Sequence, residues 1–163
     1  MHPAAAAVLS LAAALGLSGC LNLSRSAPIQ PLDAVTAQGA RVAEVRLTTD
    51  PGVTVRPQFD GIFRQHVQAR LDRCAAGARP LRLEALIERL DRANPAQVLL
   101  IGGANVLRGS ARLVDPADGR VVGEYEIGKT IVGGRWSIFQ MAESEEQLSD
   151  AFGQELCEQA FGD

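Results

Sequence analysis

The chain has 163 residues, with 16 basic and 19 acidic side chains, and a net charge of −3 at neutral pH. This length is enough for one domain with a substantial core and too short for two comfortable ones. Apart from Lys129, the basic residues are arginines scattered singly among acidic residues, and the chain has one Trp and one Tyr. The composition therefore lacks the clustered basic surface of a nucleic-acid-binding protein, and we expect no nucleic-acid partner.

Residues 1–19 have the features of an export signal. Residues 4–17 are uncharged, rich in Ala and Leu, and too short to span a bilayer as a helix. They lead into Leu-Ser-Gly-Cys at residues 17–20, which resembles the lipobox of bacterial lipoproteins, where the Cys thiol takes a diacylglycerol as a thioether before cleavage. The resemblance implies that Cys20 carries a lipid anchor. The alternative is an ordinary signal peptide followed by an unrelated Cys.

The residue after the lipobox bears on location. In the lipoprotein pattern an Asp at this position retains the protein in the inner membrane, whereas this chain has Leu21. Several acyl chains on one residue would give stable attachment, where one chain alone would be marginal. The resemblance thus implies a membrane contact through Cys20 on the periplasmic face of the outer membrane, with the inner membrane as the less favoured location.

After the lipobox, residues 20–40 are polar, contain prolines and show no hydrophobic period. This pattern predicts that the lipidated Cys20 is followed by a tether. A single α/β domain is predicted over residues 41–163.

The first half of this domain contains a clear strand and a clear helix. Val42, Val45 and Leu47 predict a strand, and Asp-Pro-Gly at residues 50–52 closes it. Four apolar residues spaced four apart then predict an amphipathic helix: Phe59, Phe63, Val67 and Leu71. Residues 81–90 fit a strand or a helix equally well, and their place after a helix favours the strand.

The second half contains a hairpin and a final helix. Residues 92–103 are irregular in pattern. Strands at about 104–115 and 120–132 flank Asp-Pro-Ala-Asp-Gly, which is a strong hairpin turn signal. Ser-Glu-Glu-Gln at residues 144–147 reads as a capping box, with acidic residues where the helix dipole favours them.

The element order is therefore β-α-β-β-β-α. We expect an α/β (α+β) fold, with a single sheet of about four strands and two helices packed on one face. If each element reverses the chain direction, both helices end at the same end of the sheet, close to Cys74 and Cys157. The oxidising periplasm favours a disulfide between them. Two buried thiols that pack as small apolar side chains are the alternative.

The whole pattern resembles a family of small bacterial envelope lipoproteins whose domain has no known function. The likeness covers most of residues 42–161, and its most specific part is the strand that ends Val-Asp at 114–115 before the Asp-Gly turn at 118–119. In architecture these proteins are similar to the auxiliary lipoproteins of ABC-transport systems. The resemblance implies a fold and an envelope location, and it offers no catalytic residue to transfer.

No motif in the sequence supports an enzyme. Residues 123–130 satisfy the P-loop spacing G-x-x-x-x-G-K-[ST], but Glu124 and Glu126 would bring negative charge to bound phosphates, and no helix start follows. The alternation of the apolar residues Tyr125, Ile127 and Ile131 with polar ones predicts a strand instead. His66 is the only histidine after the predicted signal, so it has no second His for a metal site, and no G-x-S-x-G motif accompanies it to form a catalytic site. We therefore expect no catalysis, no cofactor and no metal.

One stretch has the composition of an interaction surface. Residues 133–139 hold Arg135, Trp136 and Phe139 together, and these residue types are enriched at interface hot spots. Burial against the last helix is the alternative. We expect a non-catalytic accessory module of an envelope assembly or transport system, with an envelope protein as its partner. The alternative is a binder of a lipid or small apolar ligand held between helices and sheet.

Overall fold

The protein is described by a computed structural model, which covers residues 21–93, 103–133 and 143–162. In chain order its elements are β1 (Leu21–Ser24), β2 (Ala27–Gln30), α1 (Ala34–Gly39), β3 (Ala40–Thr49), α2 (Phe59–Cys74), β4 (Arg79–Asp91), β5 (Gly103–Val114), β6 (Val121–Gly133) and α3 (Ser144–Ala160). The predicted order β-α-β-β-β-α is confirmed from β3 to α3. Over the described ranges the sheet has six strands rather than about four, and three helices accompany it rather than two.

The strands lie in the order β1-β6-β5-β4-β3, and β2 also pairs with β6. β3 and β4 are parallel and are joined by α2, whereas β4, β5 and β6 are antiparallel neighbours. Both long helices therefore start at the end of the sheet where β1 begins and where β3, β4 and β6 finish. We call this the upper end. The opposite end, with the β5–β6 turn and the last residues of α2 and α3, is the lower end.

A β-bulge explains why residues 81–90 fit two kinds of pattern. β4 buries alternate residues from Leu81 to Ile87, and the pairing register with β5 then shifts between Ile87 and Arg89. The extra residue, Glu88, reverses the alternation and returns Leu90 to the core face. The strand prediction is confirmed, and the helix-like spacing arises from this irregularity.

The core lies between the sheet and the two long helices. α2 buries Phe59, Phe63, Val67 and Leu71, the four residues that predicted it. The Phe63 ring meets the Phe152 ring of α3 edge to face, with 5.1 Å between the ring centroids. Burial of each such side chain contributes roughly 2–3 kcal/mol. A Cβ atom at Gly153 would lie 2.9 Å from the Cβ of Arg70, so glycine at this position permits the close approach of the two helices.

The capping box predicted for the last helix is wrong. Ser144 is the first residue of α3 and is buried, Glu143 occupies the cap position, and no side chain makes a capping hydrogen bond. Glu145 and Glu146 do lie in the first turn, where the dipole favours negative charge.

The tether predicted over residues 20–40 is wrong for the residues that the structure describes. β1 and β2 both pair with β6, and α1 leads directly into β3. β2 is exposed along its whole length, so no inward-facing stripe marks it as a strand in the sequence. Its place in the sheet depends on pairing with β6, which hydrophobic periodicity does not report.

Candidate functional site

A buried ion pair attaches the N-terminal segment to the domain. The Nζ atom of Lys129, on β6, lies 2.5 Å from Oε1 of Glu155, on α3. Their side chains are only 13% and 1% exposed. The Ser24 hydroxyl, at the end of β1, donates to the second carboxylate oxygen of Glu155. We call these three residues the N-terminal clasp, because they join β1, β6 and α3.

The clasp keeps the buried carboxylate ionised. Burial on its own raises the pKa of Glu155, but the hydrogen bonds from Lys129, Ser24 and Ser26 together outweigh it and hold that pKa below its ordinary value. A buried charge of this kind is tolerated only while its partners remain in place. The position of β1 is therefore tied to an interaction inside the domain.

A second contact holds the chain just after β2. The backbone N–H of Leu32 donates to the phenol oxygen of Tyr125 at 2.7 Å. Tyr125 lies on β6 and is fully buried, and this burial raises the pKa of its hydroxyl. Asp33 then begins α1 by accepting from the backbone N–H of Thr36 at 2.9 Å. The N-terminal segment is thus attached to β6 at both of its ends.

Replacing Tyr125 with Phe should lower the free energy of unfolding by about 1–2 kcal/mol, because the buried N–H of Leu32 would lose its acceptor. Urea unfolding measures the loss, and amide hydrogen exchange at Leu32 should become faster. Thr48→Val removes an exposed hydroxyl from β3 and serves as the matched control. Unchanged exchange at Leu32 in the Tyr125→Phe protein would contradict the assignment of this contact.

A second ion cluster lies at the upper end. The side chain of Glu145 is fully buried, and its carboxylate accepts from Arg56 Nε at 2.5 Å and from Arg92 at 3.1 Å. Arg56 also contacts Glu146 at 3.1 Å, and its hydrogen bond to Glu145 raises the pKa of the guanidinium. This upper cluster joins the β3–α2 loop, the end of β4 and the start of α3. Its two carboxylates are engaged by arginines, an arrangement that fits a structural role better than an acid–base pair.

The two cysteines of the domain are joined at the lower end. Cys74 is the last residue of α2 and forms a disulfide with Cys157 of α3, with 5.8 Å between their Cα atoms. The structure thus has the disulfide and not the alternative of two packed thiols. The pairing follows from the parallel course of the two helices, whose C-terminal ends meet at this end of the sheet.

The other residues singled out by the sequence fall in different places. Cys20, Arg135, Trp136 and Phe139 lie outside the described residues, so their assigned roles stay predictions. The segment with P-loop spacing lies wholly within β6, as the alternation predicts, and not at a strand-to-helix turn. His66 is half-buried on α2.

Sequence reasoning missed the N-terminal clasp, although two signals pointed to it. Glu155 follows Leu148 by seven residues and Phe152 by three, which places it on the apolar face of α3, where an acidic side chain needs a partner. Lys129 is the single lysine of the chain. No pattern in the sequence shows that these two side chains meet.

Two further classes of site find no support in the part of the chain that the structure covers. No group of three or more His, Cys, Asp or Glu side chains is placed to hold a metal ion there. No helix among those residues is both long and apolar enough to cross a membrane. Phe59, Phe63 and Phe152 pack between the helices and the sheet, in the space where an apolar ligand would have to lie.

Comparison with solved structures identifies the fold. A PelC dodecamer from Paraburkholderia phytofirmans superposes with a TM-score of 0.55 at 18% identity, covering 86% of this chain and 99% of the PelC chain. The fold is similar to that of PelC. A single-substitution variant of PelC, also a dodecamer, gives a TM-score of 0.52 with the same identity and coverage. A structure from Caulobacter crescentus, described as a candidate lipoprotein, gives 0.41 at 14% identity over 68% of this chain and 84% of its own.

No protein-family model matches the chain, and no curated protein matches it. The likeness to PelC, at 18% identity, shows a shared fold and nothing finer. None of the structures named here is described as an auxiliary lipoprotein of ABC transport, so that expectation stays a prediction.

Proposed function

We propose that the chain is a lipoprotein of the outer membrane, anchored through Cys20 on the periplasmic face, and that it acts as a non-catalytic accessory subunit of an envelope assembly or transport system. One observation carries the proposal. The first strand begins at Leu21, directly after the Cys of the lipobox. The signal cleavage implied by the lipobox would therefore release a chain whose second residue is already paired with β6.

The proposal includes association with further copies of the chain. PelC, whose fold is similar, forms a dodecamer in both structures. β3 is the last strand of the sheet order over the described residues, and beyond its bridge from Arg41 to Ala76 such an edge strand presents backbone groups that can pair with another chain.

Metabolic labelling with palmitate in a Gram-negative host tests the anchor. The full-length protein should be labelled and recovered in the outer-membrane fraction. Cys20→Ala should abolish the label, whereas the Cys74→Ala/Cys157→Ala protein should keep it, because those thiols lie in the disulfide. Label that persists in Cys20→Ala would refute the proposal.

Crosslinking in intact cells, followed by mass spectrometry, tests the accessory role. We expect one envelope protein, together with further copies of the chain, to be recovered in constant proportion. A Trp136→Ala variant that folds normally should lose the envelope partner. If correctly anchored protein yields neither partner nor further copies, the accessory role is wrong.

A further inference from the structure

We infer that the upper end of the domain lies directly against the membrane that holds Cys20, in one fixed orientation, with the lower end directed away from the lipid. The upper end would contact the same bilayer into which the acyl groups on Cys20 are inserted. The inference rests on the proposed function, because it requires those acyl groups on Cys20.

The separation between anchor and sheet is the first reason. Leu21 is the first residue of β1 and pairs with Val132 near the end of β6. Adjacent Cα atoms are about 3.8 Å apart, so the lipid-bearing residue lies within a few ångströms of the upper end of the sheet. A flexible tether of twenty residues would instead place the domain at a root-mean-square distance of about 25 Å. The attachment therefore keeps the upper end close to the membrane surface.

The second reason is that the segment next to the anchor cannot move independently of the domain. Four consecutive residues, Leu21–Ser24, are in register with β6, and the backbone N–H of Arg25 donates to the Gly128 carbonyl at 2.8 Å. The N-terminal clasp then ties the end of β1 to the buried carboxylate of Glu155. Lengthening the link between anchor and domain, by releasing β1 from the sheet, would require these contacts to break.

The described surface of the upper end suits lipid headgroups rather than the acyl interior. Its β3–α2 loop exposes small and polar residues, among them Asp50, Gly52 and Thr54. The upper cluster around Glu145 connects this loop to the end of β4 and the start of α3, so these parts would meet the headgroups as one unit. The short attachment sets the orientation, and no apolar insertion is needed.

Fluorescence quenching on vesicles tests the orientation. The purified lipidated protein would be reconstituted in phosphatidylcholine–phosphatidylglycerol vesicles that contain headgroup spin-labelled lipid. A fluorophore is attached at Thr54→Cys at the upper end or at Asp118→Cys in the β5–β6 turn, both exposed positions, with the native disulfide left oxidised. A twelve-residue strand spans about 40 Å, so the two positions lie at very different depths. We expect quenching several-fold stronger at position 54 than at position 118.

An insertion variant is the matched control. Twenty Gly and Ser residues placed between Cys20 and Leu21 keep the anchor and the fold but release the domain, so quenching at position 54 should fall to the level at position 118. Equal quenching at the two positions without the insertion would overturn the inference. Strong quenching at position 54 that survives the insertion would overturn the short attachment as the cause of the orientation.

Vesicle flotation separates this failure from a failure of the proposed function. Protein that does not float with vesicles, and that carries no palmitate, refutes the anchor and the orientation together. Protein that floats and shows equal quenching refutes the orientation alone.

Discussion

Replacing both Cys74 and Cys157 with alanine should lower the free energy of unfolding by about 4 kcal/mol. The disulfide closes a loop between residues separated by 83 positions in the sequence, and the chain-entropy model gives roughly 4–5 kcal/mol for a loop of this length. The bond also joins the C-terminal ends of α2 and α3, which pack closely at Gly153. The loss is measured by urea unfolding of the variant and of the oxidised wild-type protein.

The reduced wild-type protein is the matched control for this experiment. A reductant should lower its unfolding midpoint to that of the double variant and should leave the midpoint of the variant unchanged. If the oxidised wild type and the variant unfold at the same urea concentration, the disulfide contributes nothing and the prediction is wrong.

Replacing Lys129 with Met should cost about 3–5 kcal/mol at neutral pH, because the substitution leaves the carboxylate of Glu155 charged and buried without its ammonium partner. Met preserves the length of the aliphatic chain, so the loss of packing is small. A double variant, Lys129→Met with Glu155→Leu, removes both charges. It should recover much of the stability, since an apolar pair of similar volume replaces the ion pair.

The same substitution should also change the pH dependence that Glu155 contributes. In the wild type the folded-state pKa of Glu155 lies below its unfolded value near 4.5, so its contribution is present above that value and declines as the pH falls through the folded pKa. Without Lys129 its hydrogen bond and charge no longer lower this pKa, so burial is opposed only by the hydrogen bonds from Ser24 and Ser26, and the folded-state pKa of Glu155 rises. The variant should then gain stability relative to the wild type as the pH falls from 7.5 to 5.

Urea unfolding of both proteins at pH 7.5 and pH 5 measures how the difference in their free energies of unfolding depends on pH. The double variant has no carboxyl group at position 155 and should show a pH-independent difference from the wild type over this range. A penalty for Lys129→Met that is the same at both pH values would argue that Glu155 does not depend on Lys129.

The elements from β3 to α3 could be predicted because each has a buried face that the sequence displays. Phe59 to Leu71 repeat at helical spacing because those side chains fill the core, and β4 alternates for the same reason. The bulge at Glu88 disturbed that alternation and made the strand ambiguous. A helix or strand with a buried face can be predicted from the hydrophobic periodicity that this face gives the sequence.

The N-terminal elements could not be predicted, since little of their side-chain surface is buried. Ile29 of β2 is 57% exposed and Val35 of α1 is 83% exposed, so neither element has a core-facing stripe. Their positions depend on pairing with β6 and on single contacts such as that of Tyr125 with Leu32. The pairing of Cys74 with Cys157, by contrast, could be anticipated, because both helices run the same way and an exported protein is expected to meet an oxidising environment.

The antiparallel pairing of β1 with β6 determines how a mechanical load on the proposed lipid anchor would enter the domain. β1 runs from the upper end towards the lower end, so a force that draws Cys20 away from the upper end acts along the strand axis. All register pairs from Leu21–Val132 to Ser24–Lys129 then bear the force together in shear, instead of separating one after another. The load passes into β6, which pairs with β5 along twelve positions and carries both Tyr125 and Lys129. Tension from the envelope would thus reach the centre of the sheet before any hydrogen bond at its edge gave way.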